Sequence, residues 1–157
     1  MSEPDAARMV GVGDKAVTER EAVAEVTVHM TAASVDRLTA GTPKGDPLEA
    51  ARIAGLLAVK RTPDLLPFCH PVAVTGAEVS VHPSAEDGRI LVRVTVRARD
   101  RTGVEMEALT GCAVAALSLY DTVKAYQRDA RIDGLRLVEK RGGKSGEFRS
   151  DASPTAG

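Results

Sequence analysis

The stretch GVEMEALTGCAVAALSLYDTVKAY, Gly103 to Tyr126, constrains the fold of this chain more than any other. From Ala108 to Tyr120 it is apolar nearly all the way round a helix, and such a helix must be covered on more than one side. A single sheet covers only one, so the outer face is expected to pack on another subunit; the alternative cover is the chain's own loops. Its polar residues lie at the ends. Glu105 and Glu107 fall in the first turn, where the helix dipole favours carboxylates, and helix-start stabilisation is the simpler reading for both. Asp121 and Lys124 lie three apart on one face. They read either as a common i, i+3 surface pair or as an acid–base pair beside an apolar wall. There a partly buried lysine has a lowered pKa and the aspartate positions it.

The neighbouring segments supply a sheet. EAVAEVTVHM, from Glu21, alternates with Val26 and Val28 on one face and Glu25 and Thr27 on the other. A short helix, AASVDRLTAG, follows, with Thr31 as its cap and Gly41 as its stop. Asp46, Pro47 and Glu49 then mark the start of a helix over about 47–60, close to a capping box with Pro at the first position. TPDLLPFCHP holds three prolines in ten residues and is expected to be turn or extended chain. The strands VAVTGAEVSVH and GRILVRVTVRARD are joined through an Asp-Gly hairpin signal. A helix over about 104–128 and a strand over about 134–141 complete the order. That order is βαββαβ, an α+β fold of the ferredoxin-like kind with an antiparallel sheet backed by helices.

At 157 residues the chain fits one domain, with residues 1–13 as a loose arm and 150–157 as a disordered tail. Two Phe, two Tyr and no Trp leave Ala, Val, Leu and Ile to build the core, and argue against stacking platforms for single-stranded nucleic acid. A net charge of −1 gives no global basic field for nucleic acid. Locally, residues 124–149 hold eight Lys/Arg against four Asp/Glu, which suits a phosphate-bearing small molecule or a solvated surface. Cys69 and Cys112 make neither a CxxC pair nor a disulfide framework. With no signal region and no uncharged run of apolar residues long enough to span a bilayer, a cytoplasmic protein with reduced thiols is expected.

Other constellations leave alternatives open. In PFCHPV the prolines fix where His70 points, either as a binding residue or as a structural turn histidine. Cys69 is a poor nucleophile candidate, since its neighbour His70 faces the other way in extended chain. KRGGKSGEF fails as a Walker A loop because Val138 stands where glycine is required. Its glycines, beside Lys140, Lys144 and Ser145, read either as a phosphate wrap or as a solvated tail. His29, His70 and His82 have no metal-ligand spacing, so no metal is expected.

As a set, KGDPLEAARIAGLLAVKRTPDLLPFCHPV, TGVEMEALTGCAVAALSLYDTVKA and GGKSGEF resemble the MoaC family, the cyclic pyranopterin monophosphate synthases of molybdenum cofactor biosynthesis. The resemblance runs from about Met9 to Phe148. It implies conversion of 3′,8-cyclo-7,8-dihydroguanosine 5′-triphosphate to cyclic pyranopterin monophosphate with release of pyrophosphate, without a cofactor. It further implies a ferredoxin-like fold and a hexamer of dimers with the pocket at a subunit interface. Carried over by motif, Asp121, Lys124, Lys44 and Lys140 are the catalytic set, and Phe68, Cys69, His70, Met106, Glu107 and Arg20 contact substrate. Gly11 and Gly13 stand where the family pattern has an acid and a serine, and Phe68 where Leu is common. The contrasting expectation is a ferredoxin-like nucleotide-binding module without chemistry.

Overall fold

The computed structural model describes residues 6–143 and 146–150. Its elements are β1 (Thr18–His29), α1 (Ala32–Ala40), α2 (Pro47–Leu65), β2 (Val74–Ser84), β3 (Arg89–Asp100), α3 (Glu105–Val123), β4 (Arg131–Arg141) and β5 (Phe148–Arg149). The strands form one open antiparallel sheet in the order β2-β3-β1-β4-β5. The first four strands have the ferredoxin-like order, and the short β5 extends the β4 edge.

Alternation decides the register. Ala22, Ala24, Val26 and Val28 of β1 pair with Val96, Val94, Val92 and Ile90 of β3, and all eight are fully buried beneath the helices. Their small, branched side chains let α3 lie close, through Ala108, Cys112, Ala115, Ala116 and Leu119. The opposite face carries a ladder of charge, with Glu21 on Arg97 at 2.7 Å and Glu25 on Arg93 at 3.1 Å and Arg136 at 3.5 Å. Glu25 is buried there, and two guanidiniums offset the cost of desolvating its carboxylate.

The second wall of α3 is not another subunit but α2 of the same chain, which packs along it. The two helices cross where Gly55 and Gly111 face each other. What remains uncovered is a stripe of Ile53, Leu56 and Leu57 on α2, with Met106 and Leu117 on α3.

Several boundaries differ from the sequence expectation. Thr31 caps α1 by accepting the Ser34 N–H, Gly41 ends it, and Asp46 caps α2 by accepting the Leu48 N–H at 2.9 Å. Glu49, however, pairs with Arg52 at 3.1 Å instead of closing a capping box. α2 continues through Pro63 to Leu65, where turn was expected. Pro63 lies in the last turn, so it forfeits one helical hydrogen bond with no later turn to disrupt, while Thr62 is fully buried and ties to the Ala58 carbonyl at 2.8 Å. α3 ends at Val123, earlier than expected: the N–H groups of Tyr126 and Gln127 both turn back on the Val123 carbonyl. β4 starts correspondingly early, at Arg131. Of the expected tail, Ser150 donates its N–H to the Val138 carbonyl at 2.7 Å, and 151–157 lie outside the described residues. No helix among the described residues is long and apolar enough to cross a membrane.

Candidate active site

The residues singled out from the sequence gather at the two ends of α3. Glu105 in its first turn and Asp121 in its last are separated by about 24 Å of helix, at a rise of 1.5 Å per residue. One chain therefore holds two clusters, each incomplete.

The cluster at the start of α3 is built by three segments. Strand β1 brings Thr18 and Arg20, which continue the buried face of Ala22 and Ala24 by the period of two. Lys140 of β4 pairs with Ala22 and so points to the same side. Its ammonium meets the Glu105 carboxylate at 2.7 Å, with both side chains about three-quarters buried. Beside them lies a cavity of about 680 Å³ lined by Lys15, Thr18, Arg20, Thr102, Glu105, Lys140 and others. Gly142 and Gly143 hold left-handed backbone and press flat on β1; a Cβ on Gly143 would run into the Arg20 guanidinium. Arg20 donates to the Arg101 carbonyl at 3.3 Å, while its buried Nε and the buried hydroxyl of Thr18 have no partner.

The PFCHPV segment packs at the same end. Cys69 approaches Glu107 Oε1 at 3.7 Å, and the second carboxylate oxygen of Glu107 is buried without a partner. Burial pushes the Glu107 carboxyl above its ordinary value, against the lowering effect of hydrogen bonds from its own backbone N–H and the Cys69 thiol. Burial and then the Glu107 charge push the Cys69 thiol up to about 11, so it is no thiolate nucleophile at neutral pH. His70 Nε2 lies against the carbonyl of Val10, tying the N-terminal arm down. Asp100 accepts the N–H groups of Ala73 at 2.8 Å and Arg101 at 2.7 Å, and those bonds hold its carboxyl below its usual range. It clasps the extended segment to the end of β3. Phe68 and Met106 stand exposed at this end, and Gly11 and Gly13 of the arm have open space around them.

The second cluster lies at the far end of α3. Lys44, Asp46 and Asp121 line a cavity of about 260 Å³ together with Thr42, Thr122 and Tyr126. The Lys124 ammonium contacts Asp121 at 2.6 Å. A lowered lysine pKa was expected for a partly buried Lys124; here the side chain is 55% exposed and the hydrogen bond and charge of Asp121 raise it instead. The same contact, with Lys44 as a weaker cause, holds the Asp121 carboxyl low.

Sequence reading thus found most of the polar groups and missed how they sort. Arg20, Cys69, His70, Met106, Glu107 and Lys140 come together with Phe68 nearby, while Lys44, Asp121 and Lys124 are elsewhere. It passed over Lys15, Thr18 and Asp100, and gave Glu105 a helix-start role although it faces Lys140. The signal for Thr18 was present: with Arg20 it makes the polar end of an otherwise apolar face. Lys144 and Ser145 of the glycine-rich loop lie outside the described residues. Among the described residues no group of three or more His, Cys, Asp or Glu is placed to hold a metal ion.

Comparison with known proteins supplies what geometry alone does not. The family model described as the MoaC family matches residues 9–143. A protein of Roseiflexus castenholzii named cyclic pyranopterin monophosphate synthase is 51% identical over 149 residues, 94% of each chain. Proteins of that name from another Roseiflexus species and from Chloroflexus aggregans are 49% and 47% identical, covering 96% and 94% of this chain and 96% and 90% of their own.

Proposed function

The chain belongs to the MoaC family, and on that premise we propose that it acts as a cyclic pyranopterin monophosphate synthase in molybdenum cofactor biosynthesis. Its substrate is 3′,8-cyclo-7,8-dihydroguanosine 5′-triphosphate, and its products are cyclic pyranopterin monophosphate and pyrophosphate. The reading assigns it to the lyases, as a cytoplasmic single-domain protein working without metal or cofactor. The near-full-length match to relatives of that name carries it.

The chemistry needs proton transfers while the purine-derived ring opens and recloses, and cationic groups for departing pyrophosphate. Lysines 44, 124 and 140 and Asp121 serve those tasks, with Arg20, Phe68, Cys69, His70, Met106 and Glu107 against the substrate. A single chain cannot bring these together across the length of α3. The working site therefore forms between two copies, the Lys44–Asp121–Lys124 cluster of one facing the Arg20–Lys140 cluster of the other, within a homohexamer made of dimers. The uncovered stripe of Ile53, Leu56, Leu57 and Leu117 is the kind of apolar surface such contact would bury. Burial against a second copy would also take the Asp121–Lys124 pair out of water, where it is now exposed.

Turnover of the cyclised dihydro-GTP, followed by pyrophosphate release and appearance of the pterin, tests the proposal. Product from the native chain and none from Asp121→Ala is the expected result. Tight substrate binding without product would instead favour a nucleotide-binding module.

A further inference from the structure

The two clusters differ in charge, and that difference suggests which end of the substrate each receives. Lining the larger cavity are Lys15, Arg20 and Lys140 against the single carboxylate of Glu105. Lining the smaller one is Lys44 against Asp46 and Asp121, with Lys124 already engaged by Asp121. A ligand carrying several negative charges is attracted to the first and gains little from the second.

Two further observations sharpen this. The Thr18 hydroxyl and Arg20 Nε are buried donors without partners, and both residues line the cationic cavity. A buried donor left unmade costs about 1–3 kcal/mol, so a group that accepts from both recovers a penalty the folded chain already carries. The Arg20 guanidinium is also confined, with Gly143 flat against Nη1 on one side and the Arg101 carbonyl accepting from Nη2. A fixed guanidinium, a hydroxyl and two ammonium groups around one cavity match the oxygens of linked phosphates better than those of a lone carboxylate.

We propose that the cavity between β1, the turn at Thr102–Gly103 and β4 is the polyphosphate cradle of this protein, with Thr18 and Lys15 as ligands beside Arg20 and Lys140. It rests on the proposed reaction for the identity of the natural ligand, but not for the chemistry of the site. The cradle holds the phosphate chain, and through it the departing pyrophosphate. The ring chemistry falls to the balanced Lys44–Asp121–Lys124 cluster of the other copy.

Calorimetric titration of the full-length protein with inorganic tripolyphosphate tests this apart from turnover. Thr18→Val and Lys15→Gln are each expected to weaken binding about tenfold, the loss typical of one hydrogen bond to a charged group. Thr18→Ser should restore it, and Lys60→Gln, on the exposed side of α2, should leave it unchanged. On the cyclised dihydro-GTP the two cradle variants should raise KM by a similar factor while kcat stays within about twofold. Should Thr18→Val fail to fold, the exposed Lys15 carries the test alone. Tripolyphosphate binding that depends on Thr18 and Lys15 in a protein without synthase turnover would uphold the cradle and remove the proposed reaction. Normal turnover with affinity and KM unchanged in both variants would overturn the cradle and leave the reaction standing. So would an affinity lost in Lys44→Ala but kept in Thr18→Val.

Discussion

Glu107 shows how much one carboxyl can reveal about a site before any substrate is present. It is 2% exposed, one oxygen faces the Cys69 thiol and the other faces nothing polar. Burial is the largest influence on it and favours the neutral acid; the nearby charges of Glu105 and Asp100 act in the same direction. A group whose folded pKa is raised contributes its stability below the unfolded value and loses it as pH rises through the folded one. The wild type should therefore lose ground against Glu107→Gln as pH climbs from the ordinary glutamate value of 4.5 upward. Thermal midpoints of the two proteins across that range would show the gap opening with pH. A gap independent of pH would mean that the carboxyl ionises in the folded chain as freely as in the unfolded one. Function is consistent with the strain: a desolvated carboxyl with a free oxygen can accept or donate a proton when substrate arrives, which a solvated one does poorly near neutrality.

Among the elements, the closest approach is the crossing of α2 and α3 at Gly55 and Gly111. A Cβ on Gly111 would stand 2.9 Å from a Val59 methyl, 3.2 Å from a Val94 methyl and 3.3 Å from the Gly55 carbonyl. Gly111→Ala gains about 1 kcal/mol of helix propensity but overpacks the crossing, which costs about 1–3 kcal/mol. A net loss of about 1 kcal/mol is expected in denaturant titration, and a more stable variant would show that the crossing has slack. The same helices show what was legible in the sequence. Period-two alternation along β1 and β3 gave their faces, and local chemistry at Thr31, Asp46 and Pro47 gave helix starts, because both signals are written within a few residues. The ends of α2 and α3 were not legible locally. Burial of Thr62 carries α2 past Pro63, and a tight turn onto the Val123 carbonyl stops α3 where no glycine or proline stands. The site divides similarly: its residue types could be read from motifs, but that Lys140 meets Glu105 while Asp121 lies a helix length away depends on strand register.

On the scale of the whole molecule, the separation of the two clusters has a genetic consequence. If each working site takes Lys124 from one copy and Arg20 from another, a Lys124→Ala chain and an Arg20→Ala chain fail in different halves. Paired together, they form one site with both halves intact and one with both halves broken. Equal amounts assembled at random give mixed pairs about half of the time, so the mixture should recover about one quarter of the wild-type rate although neither variant is active alone. Differently tagged chains, co-expressed and purified through both tags, would hold only mixed species and should reach about half of that rate. Verified mixed assemblies that stay inactive would mean that the site is completed within one chain. α3 would then have to break or shift to close about 24 Å, a rearrangement that its burial between sheet and α2 opposes. Recovery at the expected fraction would instead explain why a helix so apolar carries its charged residues only at its two ends: each end serves a different neighbour's site.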